Sequence, residues 1–120
     1  MIFDTNVLIY LSKYILNPRK ILIGRNSISV ITKIEALGFQ VKNPEEYELL
    51  LGICADLKVI PLTNLIVEET IELRKKHRIK LPDAIIYATA LVEKIPLLTS
   101  NIKDFISLDG KVELINPFDL

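Results

Sequence analysis

Two spacings alternate along this chain. Short apolar runs bounded by polar or turn-forming residues give way to longer stretches in which apolar residues return every three or four positions. The first run, Ile2–Phe3, passes through Asp4, Thr5 and Asn6 into a stretch where Val7, Leu8 and Leu11 share a helical face, closed by Asn17-Pro18. SISV at 27–30 has strand character, and Ile34, Leu37 and the terminal Gly38 predict a short helix beginning near Thr32. Asn43-Pro44 opens a longer helix as cap and first-turn proline, with Tyr47, Leu50, Leu51 and Cys54 at helical spacing. KVIPL at 58–62 reads as a strand, and Thr63 or Asn64 caps a helix that buries Ile66, Thr70 and Leu73 and turns Glu68, Glu69, Lys75 and Lys76 away. LPDAIIYATALVEK at 81–94 is apolar nearly all round from Ala84 to Val92, which predicts a fully buried helix with Pro82 and Asp83 in its first turn. PLLTS at 96–100 is a strand, Asn101 caps a helical turn to Phe105, and VELI at 112–115 is the last strand.

Strand and helix alternate from end to end, which predicts an α/β fold with a mostly parallel sheet covered on both faces. No linker, repeat or low-complexity tract divides residues 1–120, and a chain of this length buries one core without metals or disulfides, so a single domain is expected.

Composition narrows the setting. Half the residues are apolar, yet the longest runs, such as VLIYL at 7–11, fall far short of a bilayer span, which needs about 20 residues. No basic segment precedes an apolar stretch and an acid stands at position 4, so no secretory signal is expected. The lone Cys54 rules out an internal disulfide, suits a reducing cytoplasm and reads as a core residue. With 15 basic and 15 acidic residues the net charge is zero, so nucleic acid would have to be held by a local patch. The candidate is RKKHRIK at 74–80, which supplies Arg74, Lys75, Lys76, Arg78 and Lys80. Cations also suit a helix C-terminus, and His77 within the run reads as a surface residue. So high an apolar fraction in so small a chain points to surface covered by a partner or a second copy.

Open α/β sheets bind ligands outside the carboxyl ends of their strands, so the acids just past a strand carry the candidate chemistry. They are Asp4, Glu35, Asp83, and Asp104 with Asn101. Each has an ordinary role open to it: Asp4 as a helix cap, Thr32 to Glu35 as a capping box, Asp83 as a complement to a helix dipole, Asn101 to Asp104 as a further cap. Four such junctions, however, would bring their acids to one edge of the sheet, where like charges repel unless a cation sits among them. Carboxylate and amide oxygens suit Mg²⁺ or Mn²⁺, and one cysteine with one histidine nearly excludes a conventional zinc site. Acids holding such an ion activate water for in-line attack on a phosphodiester.

MIFDTNVLI, TKIEAL, LPDAIIYATAL and LLTSNIKDF, in this order and spacing, resemble a PIN domain, and most nearly the VapC type of toxin ribonuclease, over essentially the whole chain. The resemblance implies a three-layer α/β/α Rossmann-like fold and a Mg²⁺- or Mn²⁺-dependent endoribonuclease acting on RNA. It implies Asp4, Glu35 and Asp83 as the core metal-site acids, with Asn6 and Thr99 orienting them through hydrogen bonds. Asn101 departs from the pattern, since many relatives carry an acid there. Either Asn101 or Asp104 would complete the site. An antitoxin protein that lays apolar residues near the site and inserts a basic side chain among the carboxylates is the implied partner, and a homodimer the expected assembly.

Other readings weigh less. A housekeeping RNA-processing PIN nuclease shares the same residues, and a catalytically idle PIN-like binding module is encouraged only by Asn101. A phosphoacceptor domain wants adjacent acids after the first strand and finds Thr5 after Asp4. A haloacid-dehalogenase-like phosphatase wants an Asp two residues after the first and finds Asn6.

Overall fold

The computed structural model describes residues 1–120. In chain order the elements are β1 (Ile2–Phe3), α1 (Thr5–Ser12), α2 (Pro18–Ile21), β2 (Ser27–Ser29), α3 (Val30–Gly38), α4 (Pro44–Asp56), β3 (Lys58–Ile60), α5 (Asn64–Lys76), α6 (Leu81–Glu93), β4 (Leu97–Leu98), α7 (Ile102–Phe105) and β5 (Leu114–Ile115), closed by a 3₁₀ turn at Pro117–Asp119. The five strands form one sheet in the order β3-β2-β1-β4-β5, and every pairing is parallel. Successive connections step outward from β1 on one side and then return to β4 on its other side. The reversal lies between β1 and β4, the switch point where open α/β sheets leave a crevice.

Alternation along each strand feeds two cores. Phe3, Ile28 and Leu98 point to one face and pack with Val7, Leu8 and Leu11 of α1 and Leu50, Ile53 and Cys54 of α4. Ile2, Ile60 and Leu97 point to the other and pack with Ile66 and Leu73 of α5, Ile86 and Tyr87 of α6 and Phe105 of α7. These are the two outer layers of an α/β/α sandwich, and the β1–β4 register of Ile2 with Leu97 and Phe3 with Leu98 keeps the faces consistent. In α6 every residue from Ala84 to Ala90 is buried, as its all-round apolar pattern predicts. Its C-terminus is set by Lys94, which takes the left-handed conformation at φ 58°.

Local differences from the sequence reading have identifiable causes. The first helix ends at Ser12, because Tyr14 adopts φ 56° and breaks the spiral. Asn17 does not close that helix; its side chain accepts from the Arg19 N–H at 3.0 Å and starts α2. The third helix takes in Val30 because the Ser29 hydroxyl caps it, accepting from the Ile31 N–H at 3.2 Å. Thr32 is therefore inside the helix and the Thr32 to Glu35 capping box does not form. The paired strands are shorter than the apolar runs 58–62, 96–100 and 112–115. Pro61 and Pro96 have no N–H to donate to a neighbouring strand.

Candidate active site

Asp4 leaves β1 and caps α1: its Oδ1 accepts from the Thr5 N–H at 2.8 Å. Its Oδ2 accepts from the Thr99 hydroxyl, also at 2.8 Å, across the switch point at the end of β4. Thr99 is fully buried and its own oxygen accepts from the Asn101 N–H at 3.0 Å. Asp4, only 4% exposed, is thus held by one donor on each oxygen. Glu35, on the second turn of α3, accepts from the Thr5 hydroxyl at 2.8 Å, and that hydroxyl also lies 3.3 Å from the hydroxyl of Thr32. Asp83 stands in the first turn of α6 and Asp104 in α7, both without a donor that neutralises them.

A pocket of about 230 Å³ gathers these side chains, lined by Asp4, Glu35, Asp83 and Asp104 together with Thr5, Asn6 and Asn101. Lys80 and Pro82 complete its wall, which contains no apolar side chain other than that proline ring. Larger grooves of about 370 and 440 Å³ elsewhere hold no comparable group of acids: the first contains Lys42 and the paired Lys13 and Glu46, the second only Asp56.

The acids feel one another. Burial holds the Asp4 carboxyl above the ordinary carboxylate range, opposed by the Thr99 and Thr5 hydrogen bonds and reinforced by the charges of Glu35 and Asp104. Asp83 is pushed up to about 6, first by burial and then by the charges of Asp4, Asp104 and Glu35, with Lys80 pulling the other way. A helix N-terminus alone would favour ionised Asp83. Burial, reinforced by the neighbouring acids, outweighs that effect. The two salt bridges of the chain, Lys13–Glu46 and Lys75–Glu72, include none of the four acids.

The donor set is therefore hard oxygen throughout, with surplus negative charge, which fits a hard divalent cation. As they stand, no three of these carboxylates form a closed metal centre, so the site is an open acidic bowl. Of the residues singled out in the sequence, Asp4, Glu35, Asp83, Asp104, Asn101 and Asn6 line this bowl and Thr99 supports it from behind. Asn6 is exposed on the rim, and the side chain that hydrogen-bonds an acid there is Thr5. Sequence reading passed over Thr5, although a hydroxyl beside Asp4 was the available signal. Asn101 contributes its backbone N–H to Thr99 and makes no side-chain cap. Of the basic run, Lys80 alone reaches the bowl; Arg74, Lys75 and Lys76 stay on the last turn of α5.

The family model of the PIN domain matches residues 1–111. The chain belongs to the PIN domain family. Among solved structures, this PIN domain is similar to a toxin–antitoxin complex from Klebsiella pneumoniae, at 31% identity and TM-score 0.77, over 97% of this chain and 96% of that one. The fold is also that of VapBC2 from Rickettsia felis bound to a DNA fragment from its promoter, at 23% identity and TM-score 0.79, over 97% of this chain and 98% of that one. DNA-bound VapBC from Salmonella typhimurium aligns with TM-score 0.79 at 22% identity, over 97% and 96% of the two chains. No curated protein matches the chain. The acidic bowl of this PIN domain sits at the β1–β4 switch point, and no helix of the chain is long and apolar enough to cross a membrane.

Proposed function

We propose that this PIN domain is an endoribonuclease dependent on Mg²⁺ or Mn²⁺ and acts as the toxin of a toxin–antitoxin pair. The supporting observation is the bowl itself, where four acids, three from strand-to-helix junctions and Asp83 from the α5–α6 junction rather than the end of a strand, face one another without a salt bridge. Asp4, Glu35, Asp83 and Asp104, with the Asn101 amide, are the residues that would hold the ion, which when bound supplies an activated water and stabilises the leaving oxygen of the phosphodiester. The chain's own contribution is positioning. Thr99 and the Thr5 N–H fix the two oxygens of Asp4, and the Thr5 hydroxyl fixes Glu35.

An antitoxin partner is supported by the likeness to the Klebsiella pneumoniae complex and by apolar side chains left at the surface, among them Ile34 at 62% and Leu65 at 68% exposure. A homodimer is the second association proposed for the chain. Light scattering of the chain alone and co-purified with the product of a neighbouring small reading frame separates the two associations.

The decisive assay is cleavage of labelled RNAs in Mg²⁺ or Mn²⁺ against a chelated control and an Asp83→Asn variant. Metal-dependent cleavage lost in the variant is the expected result. Intact RNAs together with no binding of either ion by calorimetry would overturn the reading.

A further inference from the structure

The basic run 74–80 does not act as one patch in this fold. Its first three cations finish α5, where they complement the helix dipole, and Lys75 is engaged by Glu72 at 3.6 Å. At His77 the backbone becomes extended, and the chain crosses toward α6. In an extended segment residues two apart share a side, so Arg78 and Lys80 are carried together. They line a groove of about 290 Å³ that shares Lys80, Asp83 and Asp104 with the acidic bowl and is walled opposite by Lys103 of α7 and by Ser107. Arg78, Lys80 and Lys103 are exposed, and none forms a salt bridge, although two acids line the same groove. The far side of the bowl, with Thr5, Asn6 and Glu35, has no cation.

We propose that Arg78, Lys80 and Lys103 form a one-sided phosphate lane, which holds the RNA backbone next to the phosphodiester at the acidic bowl and leaves the strand on the Glu35 side unanchored. The inference rests on the nuclease reading above and adds to it the direction from which the strand is held. Lys103 lies outside the basic run and joins it only through the packing of α7 beside the α5–α6 connection. A polyanion crossing a site of four carboxylates needs compensating charge close by, and free cations that border those acids supply it.

The test measures binding of fluorescent single-stranded oligoribonucleotides of mixed sequence in Mg²⁺, on an Asp83→Asn background that stops turnover, between 50 and 200 mM salt. Replacing Arg78, Lys80 and Lys103 together by Ala should weaken binding about tenfold, as expected for three exposed ion pairs. It should also lower the slope of log Kd against log salt, by about 0.7 for each phosphate that is no longer neutralised. A charge-matched control with Ala at Lys20, Lys42 and Lys58, none of which lines the bowl or the groove, should bind as the parent does. In the cleaving enzyme Arg78→Ala with Lys103→Ala, which leaves Lys80 in the bowl wall, should raise KM by a larger factor than it lowers kcat. Equal losses in the lane and control variants, or a lane variant with the parent's affinity and slope, would overturn the lane and leave the nuclease reading standing. A protein with intact Asp83 that neither binds nor cleaves RNA would remove both.

Discussion

One helix carries two carboxylate environments with opposite consequences. In the first turn of α6, Asp83 is pushed up to about 6 by burial and then by the acids it faces. One turn later, Tyr87 donates its hydroxyl to Asp109 at 2.5 Å, and Asp109 also accepts from the Lys111 N–H at 3.0 Å. Those donors hold the Asp109 carboxyl below its ordinary value, while burial and the Asp109 charge push the Tyr87 phenol up to about 12. The ring of Tyr87 stacks on Phe105 with centroids 6.1 Å apart, in the core under α7. An acid whose neighbours are donors therefore ties a loop to the core, whereas an acid whose neighbours are acids is held in an unfavourable state that only a cation or a proton relieves. Two things separate these acids: Asp83 is half-buried among acids, whereas Asp109 is exposed and its partners are donors.

The largest expected effect lies on the acidic side. Asp83→Asn keeps the shape and removes one charge, so metal-supported cleavage should fall by more than about a hundredfold, since stabilisation of the transition-state charge by an ion is worth several kcal/mol. The same change should raise the melting temperature of the metal-free protein, because it relieves repulsion without opening a cavity. Loss of cleavage with lowered stability would instead make Asp83 a structural residue like Asp109. A smaller effect is expected for Thr99→Val, which preserves volume and removes the donor to Asp4. Groups that orient metal ligands typically contribute about 10–100-fold in affinity, and Mn²⁺ titration by calorimetry should show a loss of that order. Unchanged Mn²⁺ affinity would leave Asp4 oriented by its cap alone.

The sequence carried the acidic side and missed the satisfied one, for physical reasons. Asp4, Glu35 and Asp104 lie on helices that follow a strand, or cap one, and in a parallel sheet all strands end on the same edge, so local pattern sufficed to bring those three together; Asp83 instead follows helix α5, and joins them because the α5–α6 connection returns the chain to that edge. The buried helix 81–94 was legible because its apolar residues circle it completely. Asp109 follows no strand, and its bond to Tyr87 joins residues 22 apart through a loop whose path depends on how α7 packs. Lys103 entered the groove by the same long-range route. The cap of α3 was misplaced because Thr32 to Glu35 fits the capping-box spacing, while Ser29, three residues earlier, offers its hydroxyl first.

Tyr87→Phe probes the satisfied side. The phenyl ring keeps its stack on Phe105 and its place in the core, and only the hydroxyl is removed. A typical hydrogen bond contributes about 0.5–1.5 kcal/mol net, and chemical denaturation should show a loss in that range. Cleavage should be unaffected, since Tyr87 does not line the bowl. A fall in activity without a fall in stability would mean that the two halves of α6 are coupled.

The finest distinction is in pH. Asp83 is raised from 3.8 to about 6 in the folded protein, so between those values the folded chain binds more protons than the unfolded one. Stability of the metal-free protein should therefore rise as pH falls from 7 through about 6, contrary to ordinary acid denaturation, with the raised Asp4 acting in the same sense. Asp109, whose folded value is lowered, has the opposite sign in a different window: its stabilisation is present above 3.8 and is lost as pH falls through its lowered folded value. Denaturant melts at pH 7, 6 and 5 with a chelator present should show the rise, reduced by solvent screening because Asp83 is only half-buried. Asp83→Asn should flatten it, and Tyr87→Phe should leave it intact while weakening the stabilisation that Asp109 gives above pH 3.8. Saturating Mg²⁺ should also remove the rise, because a bound cation relieves at pH 7 the same repulsion that a proton relieves at pH 5. A rise that persisted in Asp83→Asn would place the responsible acid elsewhere and dissolve the contrast between Asp83 and Asp109.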